Sequence, residues 1–194
     1  MATPSRLLLL SLILGSIVPL PAQDVLPPTT MATQEATAYL KPLNKRGVVH
    51  YKTIATDFNT NQVAAIGKYA GKRITVIGRV AHLSQGESEN KALVVTLQDA
   101  SASLPAVKGI ILAGSIPQNS EIQVSPDGST ATMVNRDGSG NIVSQNTYLT
   151  VDQTVGIKGD YKELKVGDIV LTDCKIIPKD RLHELRNELK KNQN

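Results

Sequence analysis

The sequence predicts a mainly β domain, a single small barrel of five strands. A helix precedes the barrel, a β-hairpin is inserted between strands three and four, and a short helix follows. Three observations carry this prediction. Residues 68–80, KYAGKRITVIGRV, read as a helix end, a Gly71-Lys72 turn and a strand. In that strand Ile74, Val76 and Val80 share one face, because strand side chains alternate with period 2. Residues 155–177, VGIKGDYKELKVGDIVLTDCKII, read as two more strands joined by a short polar link. The strands are short, and Gly78 interrupts the first of them, which suits a bulge or sharp bend at a barrel corner.

Residues 1–22 read as a cleavable secretory signal peptide. They hold one positive charge at Arg6, an apolar run from Leu7 to Val18 broken only by Ser11, Gly15 and Ser16, and a small residue at the cleavage point, Ala22. The run is shorter than the roughly 18 to 20 apolar residues of a membrane-spanning helix. The only cysteine is Cys174, so no lipid anchor is expected at the cleavage site, and the protein is placed in the periplasm or outside the cell. Without the signal, 20 Lys and Arg (21 less Arg6) face 17 Asp and Glu, a net charge of +3. That excess is too small and too dispersed to mark a nucleic-acid footprint. A lone cysteine makes no internal disulfide, and Cys174, in line with Val170, Thr172 and Ile176 on an alternating strand, reads as a buried core residue.

Residues 23–50 carry Pro27, Pro28 and Pro42 without periodicity and read as a flexible lead-in to the barrel domain over 51–178. From Tyr51 to Tyr69 the positions Ile54, Phe58, Ala65 and Tyr69 recur at helical spacing, with Gly71 placed as a C-terminal cap and Thr53, Thr56 and Asp57 as candidate N-caps. Strands are expected at Arg73–Ala81, Lys91–Gln98, Val107–Ala113, Tyr148–Gly159 and Asp168–Ile177. The turn signals Pro126-Asp127-Gly128 and Asp137-Gly138-Ser139-Gly140 place an inserted hairpin, projecting from the barrel, in residues 115–147. Residues 179–194 form a helix with a Leu182, Leu185, Leu189 stripe. Too short to persist alone in water, it must dock on the barrel or on a partner.

The blocks DFNTNQVAAIGKYAGKRITVIGRV, VVTLQD, VGIKGDY and GDIVLTDCKII resemble the bacterial tRNA-anti-like family of exported proteins and lipoproteins. The matching positions are Asn61, Ala65, Tyr69, Gly71, Lys72, Val76, Gly78 and Val80, then Gly159, Asp173 and Cys174. The resemblance covers residues 53–114 and 150–177 and leaves the insertion and both ends unmatched. It implies a five-stranded OB-fold barrel behind a helix, and it implies no reaction.

Candidate sites follow from that barrel. Arg79, His82 and Lys91 border the turn between strands one and two, and Lys158, Tyr161 and Lys162 border the turn between strands four and five. These two turns flank the usual OB ligand face, so the six residues are the candidate basic rim for an anionic ligand or an acidic envelope protein, with a solvated polar rim that keeps the barrel soluble as the preferred reading. Residues 135–146, NRDGSGNIVSQN, place Asn135, Asp137, Ser139 and Asn141 like the first ligands of a calcium loop. Asn146 stands where such a loop carries its bidentate glutamate, and the flanks read as strands, so a plain turn is the preferred reading. No catalytic residue and no cofactor is expected. His50, His82 and His183 have no partner at catalytic spacing, and there is no His-x-x-x-His or cysteine pair. The chain has no Trp, its one Phe lies on the helix stripe, and strands one to three carry no aromatic residue, which disfavours single-stranded nucleic acid. The expected role is a non-catalytic envelope binding module. The alternative is an assembly domain using the hairpin and the terminal helix.

Overall fold

The computed structural model describes residues 40–87, 91–99 and 103–191, so the expected signal peptide and most of the lead-in lie outside the described residues. In chain order the elements are β1 (Val48–His50), α1 (Tyr51–Thr60), α2 (Gln62–Tyr69), β2 (Arg73–Gln85), β3 (Lys91–Leu97) and β4 (Val107–Leu112). After a 3-10 turn at Ala113–Ser115 come β5 (Ser120–Val124), β6 (Thr130–Arg136), β7 (Ile142–Thr150), β8 (Thr154–Lys165), β9 (Asp168–Ile176) and α3 (Lys179–Lys191).

Five strands close a ring in the order β2-β3-β4-β9-β8, with β8 returning to β2. The closing pairs run from Arg73↔Asp160 to Arg79↔Thr154, while the far half of β2 pairs β3 from Val80↔Leu97 to Gln85↔Leu93. β4 and β9 are parallel, and β1 lies outside the ring, parallel to β2. One strand serves two neighbours in succession because it bends. The register breaks between Val80 and His82, two residues beyond the glycine that was expected to bend. Gly78 has a different role: a Cβ there would stand 2.9 Å from the Cβ of Tyr51 and 3.3 Å from that of Leu97, so its bare backbone admits α1 against the barrel. The inward positions fill the barrel as the alternation predicts, with Ile74, Val76, Val80, Leu83, Leu93, Val95, Leu97, Ile157, Ile169 and Leu171 all fully buried.

The expected single helix is two. Asn61 is extended (φ −152°), its N–H donates to the Asp57 carbonyl at 2.9 Å, and its Oδ1 accepts from the Ala64 N–H at 3.0 Å. It therefore ends α1 and caps α2 in one residue. The cap of α1 is His50, whose Nδ1 accepts from the Lys52 N–H at 3.2 Å, rather than any of the three candidates. Asp57 is committed elsewhere: its buried Oδ2 accepts from Lys68 Nζ at 2.7 Å and from the Tyr69 hydroxyl at 2.6 Å. Phe58 stacks between Tyr69 and Tyr161 at centroid distances of 5.8 and 5.7 Å, and this cluster plugs the helix side of the core. The lead-in ends earlier than expected, since Val48 and Val49 are buried in β1.

The insertion contains the expected hairpin, β6–β7, and adds β5 to make a three-stranded antiparallel sheet. The segment expected as one strand from Tyr148 is split at Val151–Gln153, leaving Tyr148–Thr150 in β7 and the rest in β8. The sheet does not simply project. Ile122, Ala131 and Leu149 are buried in the main core, the Leu83 N–H donates to the Gly128 carbonyl at 3.0 Å, and Gln85 Nε2 donates to the Ile122 carbonyl at 3.1 Å. α3 docks as its leucine stripe predicts, with Leu182, Leu185 and Leu189 on Val48, Ile77 and Ile177.

Candidate ligand groove

Inward filling of the barrel leaves the outward residues of β3, β4 and β9 to face solvent. These are Val94 and Thr96, then Lys108, Ile110 and Leu112, then Val170 and Thr172. The register sets Val94 beside Ile110, Thr96 beside Lys108, and Lys108 beside Val170, so the floor is a patch of aliphatic side chains edged by two threonines. One wall is the far half of β2 with Glu87, and the other is the β8–β9 hairpin. Together they bound a groove of about 730 Å³.

The charges in it balance. Lys108 pairs with Asp168 at 2.6 Å across the floor, and the walls carry Lys162 and Lys165 together with Glu163 and Glu87, so three lysines stand against three carboxylates. Among the described residues no Phe, Tyr or Trp lines the groove. The tip of the hairpin is unusual. Lys165 and Asp168 pair across a two-residue loop in which Val166 has φ +50° and Gly167 φ +83°, a left-handed pair that asparagine and glycine normally supply. Val166 is 96% exposed and lines the groove mouth, so no packing within the chain compensates its backbone.

The six rim residues do not converge. His82 and Lys162 reach the groove, but Arg79 lies in a separate cavity and pairs with Asp152 at 2.7 Å. Lys158 lies beside α3 in a third depression with Arg46 and Arg181. Tyr161 is a core residue, stacked on Phe58, and not a rim residue. Lys91 opens β3, and its side chain lies outside the described residues. The physical reason is that the expected polar link DYKELKVG is mostly strand. β8 runs on to Lys165, with register shifts after Lys158 and after Tyr161, and only Val166-Gly167 turn. The Val94, Ile110, Val170 floor was missed because half-buried Val94 and Ile110 and the largely covered Val170, on alternating strands, look like core from sequence.

The calcium-like residues are engaged in a hairpin. Asp137 Oδ1 accepts from the N–H groups of Ser139 (2.9 Å) and Asn141 (2.8 Å), and Asn141 Nδ2 donates to Oδ2 at 3.2 Å. These bonds, the Asn141 backbone first, pull the Asp137 pKa below the usual carboxylate range. Asn135 sits in β6, accepting from Ser120 and donating to Ser144. Among the described residues no three His, Cys, Asp or Glu side chains group as metal ligands. His82 packs its ring on Gly128, where a Cβ would overlap it, and has no hydrogen bond to a carboxylate or hydroxyl among the described residues. Burial pushes the Cys174 thiol up to about 12, against the reactivity of a nucleophile.

A closed five-stranded barrel in this strand order, with a groove across β3, β4 and β9, is an OB-type binding domain. The tRNA_anti-like family model matches residues 7–175, and the chain belongs to that family, which is of the binding type and not a catalytic one. No curated protein and no solved structure matches the chain.

Proposed function

We propose that the chain is an exported, non-catalytic binding module of the bacterial envelope, and that its groove takes an extended segment of a partner polypeptide. The groove floor carries this reading. Stacking of bases or sugar rings needs an aromatic platform, which the groove lacks. Attraction of an anion needs surplus positive charge, but the three lysines meet three carboxylates. An extended peptide needs shallow aliphatic footholds for alternate side chains and hydroxyls for its amides, and Val94, Ile110, Leu112, Val170, Thr96 and Thr172 supply both. The leucines of α3 are spent on the barrel, so the terminal helix has no apolar face left for assembly. Export rests on the apolar run of residues 7–18 and Ala22.

A library of extended peptides, screened against the purified protein and followed by amide chemical-shift mapping, tests the groove. Shifts should centre on Val94, Thr96, Ile110 and Thr172, and Thr96→Arg should abolish them. Shifts centred on the insertion, or tighter binding by oligonucleotides than by any peptide, would sink the reading. N-terminal sequencing of extracytoplasmic material should begin at Gln23, and an intact Met1 there would refute cleavage.

A further inference from the structure

A second cavity, of about 320 Å³, lies where the C-terminal half of α3 crosses the start of α1, and it shares no lining residue with the groove. Four cations line it: Lys52, Arg79, Arg186 and Lys190. Lys52 is paired with Asp99 at 2.6 Å and Arg79 with Asp152 at 2.7 Å. Arg186 and Lys190 stand one turn apart on α3, and among the described residues neither has a carboxylate within ion-pairing distance. Among the described residues the cavity therefore holds two positive charges in excess of its counter-charges.

Three further features accompany that excess. The N-terminus of α1 opens on the cavity at His50, Tyr51 and Lys52, bringing the positive end of the helix dipole. His50 is half-buried, and its pKa lies below the ordinary value because of burial first, then Lys52 and Arg186, with only Asp99 opposing. Tyr51 lines the same cavity, and its hydroxyl is buried with no hydrogen-bond partner among the described residues, an O–H donor without an acceptor. Concentrated cations, a helix N-terminus and a buried donor without an acceptor are complementary to one kind of ligand.

We infer that this cavity is an oxyanion site that takes a phosphate or phosphate-ester group, held by Arg186 and Lys190 with Lys52 and Arg79 at its edge. Its volume suits a tetrahedral anion with a small substituent. Free phosphate, a small phosphorylated metabolite and a phospholipid headgroup share that chemistry. Arg186 and Lys190 are exposed on a helix held by its leucines, so replacing them leaves the packing intact.

The test titrates the purified protein with inorganic phosphate and with glycerol phosphate by calorimetry and by the His50 ring resonances. In parallel, the protein is sedimented with phosphatidylcholine vesicles with and without phosphatidylglycerol. Arg186→Gln should weaken binding by about tenfold, and Arg186→Gln with Lys190→Gln by about a hundredfold, while Lys191→Gln, outside the cavity, leaves it unchanged. Preference for glycerol phosphate over phosphate, or for the anionic vesicles over both, names the source of the group. Binding that the double variant retains, binding that moves no His50 resonance, or no binding in any arm would overturn the proposal.

Discussion

Replacing Val166 with asparagine should make the protein more stable, although the side chain touches almost nothing. The loop Val166-Gly167 holds both residues at positive φ, and a β-branched residue there costs about 1 to 2 kcal/mol relative to its relaxed backbone. Asparagine tolerates the left-handed region and adds no glycine-like freedom to the unfolded chain. With Val166 96% exposed, the exchange gives up almost no burial. The expected gain is about 1 kcal/mol, a rise in Tm of about 2 to 4 °C for a chain of this size. Calorimetry and urea unfolding measure it, with Val166→Thr as the control, because threonine keeps the branch and should melt with the natural protein. An unchanged or lower Tm for Val166→Asn would refute the strain argument. In the peptide screen the same variant should bind more weakly. A strained apolar residue at the mouth of a groove is what a contact kept against the stability of the domain looks like.

Gly159→Ala should lose about 2 to 3 kcal/mol, because its Cβ would run into Cys174 Sγ and stand 2.9 Å from the Thr172 carbonyl oxygen. Adding Cys174→Ala should recover part of that loss in urea unfolding, since the backbone contact remains. Asp57→Asn leaves Lys68 charged and enclosed, for an expected loss of about 3 to 5 kcal/mol, and Asp57→Asn with Lys68→Met should be less unstable than the single change. The Asp127 carboxylate accepts from the Ser125 hydroxyl and from the N–H and hydroxyl of Ser129, which hold its pKa at about 2. A depressed folded pKa means that its contribution is present above the unfolded value of about 3.8 and disappears as pH falls toward 2. Carboxyl NMR titration should show the low value, and Ser125→Ala should raise it.

The barrel was legible because its signal is redundant. Ile74, Val76 and Val80 on one strand and Ile169 and Leu171 on another repeat the same inward alternation, and the glycines mark close approach. Cys174 is buried as expected but not on the face of Val170 and Thr172 assigned to it, because Asp173 takes a left-handed backbone (φ +49°) that puts the alternation out of step. What was missed turns on choices that pattern cannot see. His82 reads as the end of its strand and Ser84 as loop, yet β2 continues through both because Leu83 still points inward. Asn61 reads as a mid-helix residue until its side chain is seen capping α2. Tyr161 was assigned to a rim because a polar-looking link surrounds it, but a register shift turns the ring toward Phe58. The groove floor and the α3 cavity each combine residues from separated elements, and one sequence gives no record of those meetings.

The pairing of β2 with β8 has a consequence for the order of folding. Arg73 bonds to Asp160, 87 residues downstream, so the first long strand to leave the ribosome waits for nearly the last before the ring can close. Until then the helices preceding β2 lack Tyr161 as a stacking partner, and the intervening meander lacks half of the core that its base enters. Such non-local closure slows folding, and a slow-closing chain stays threadable for longer.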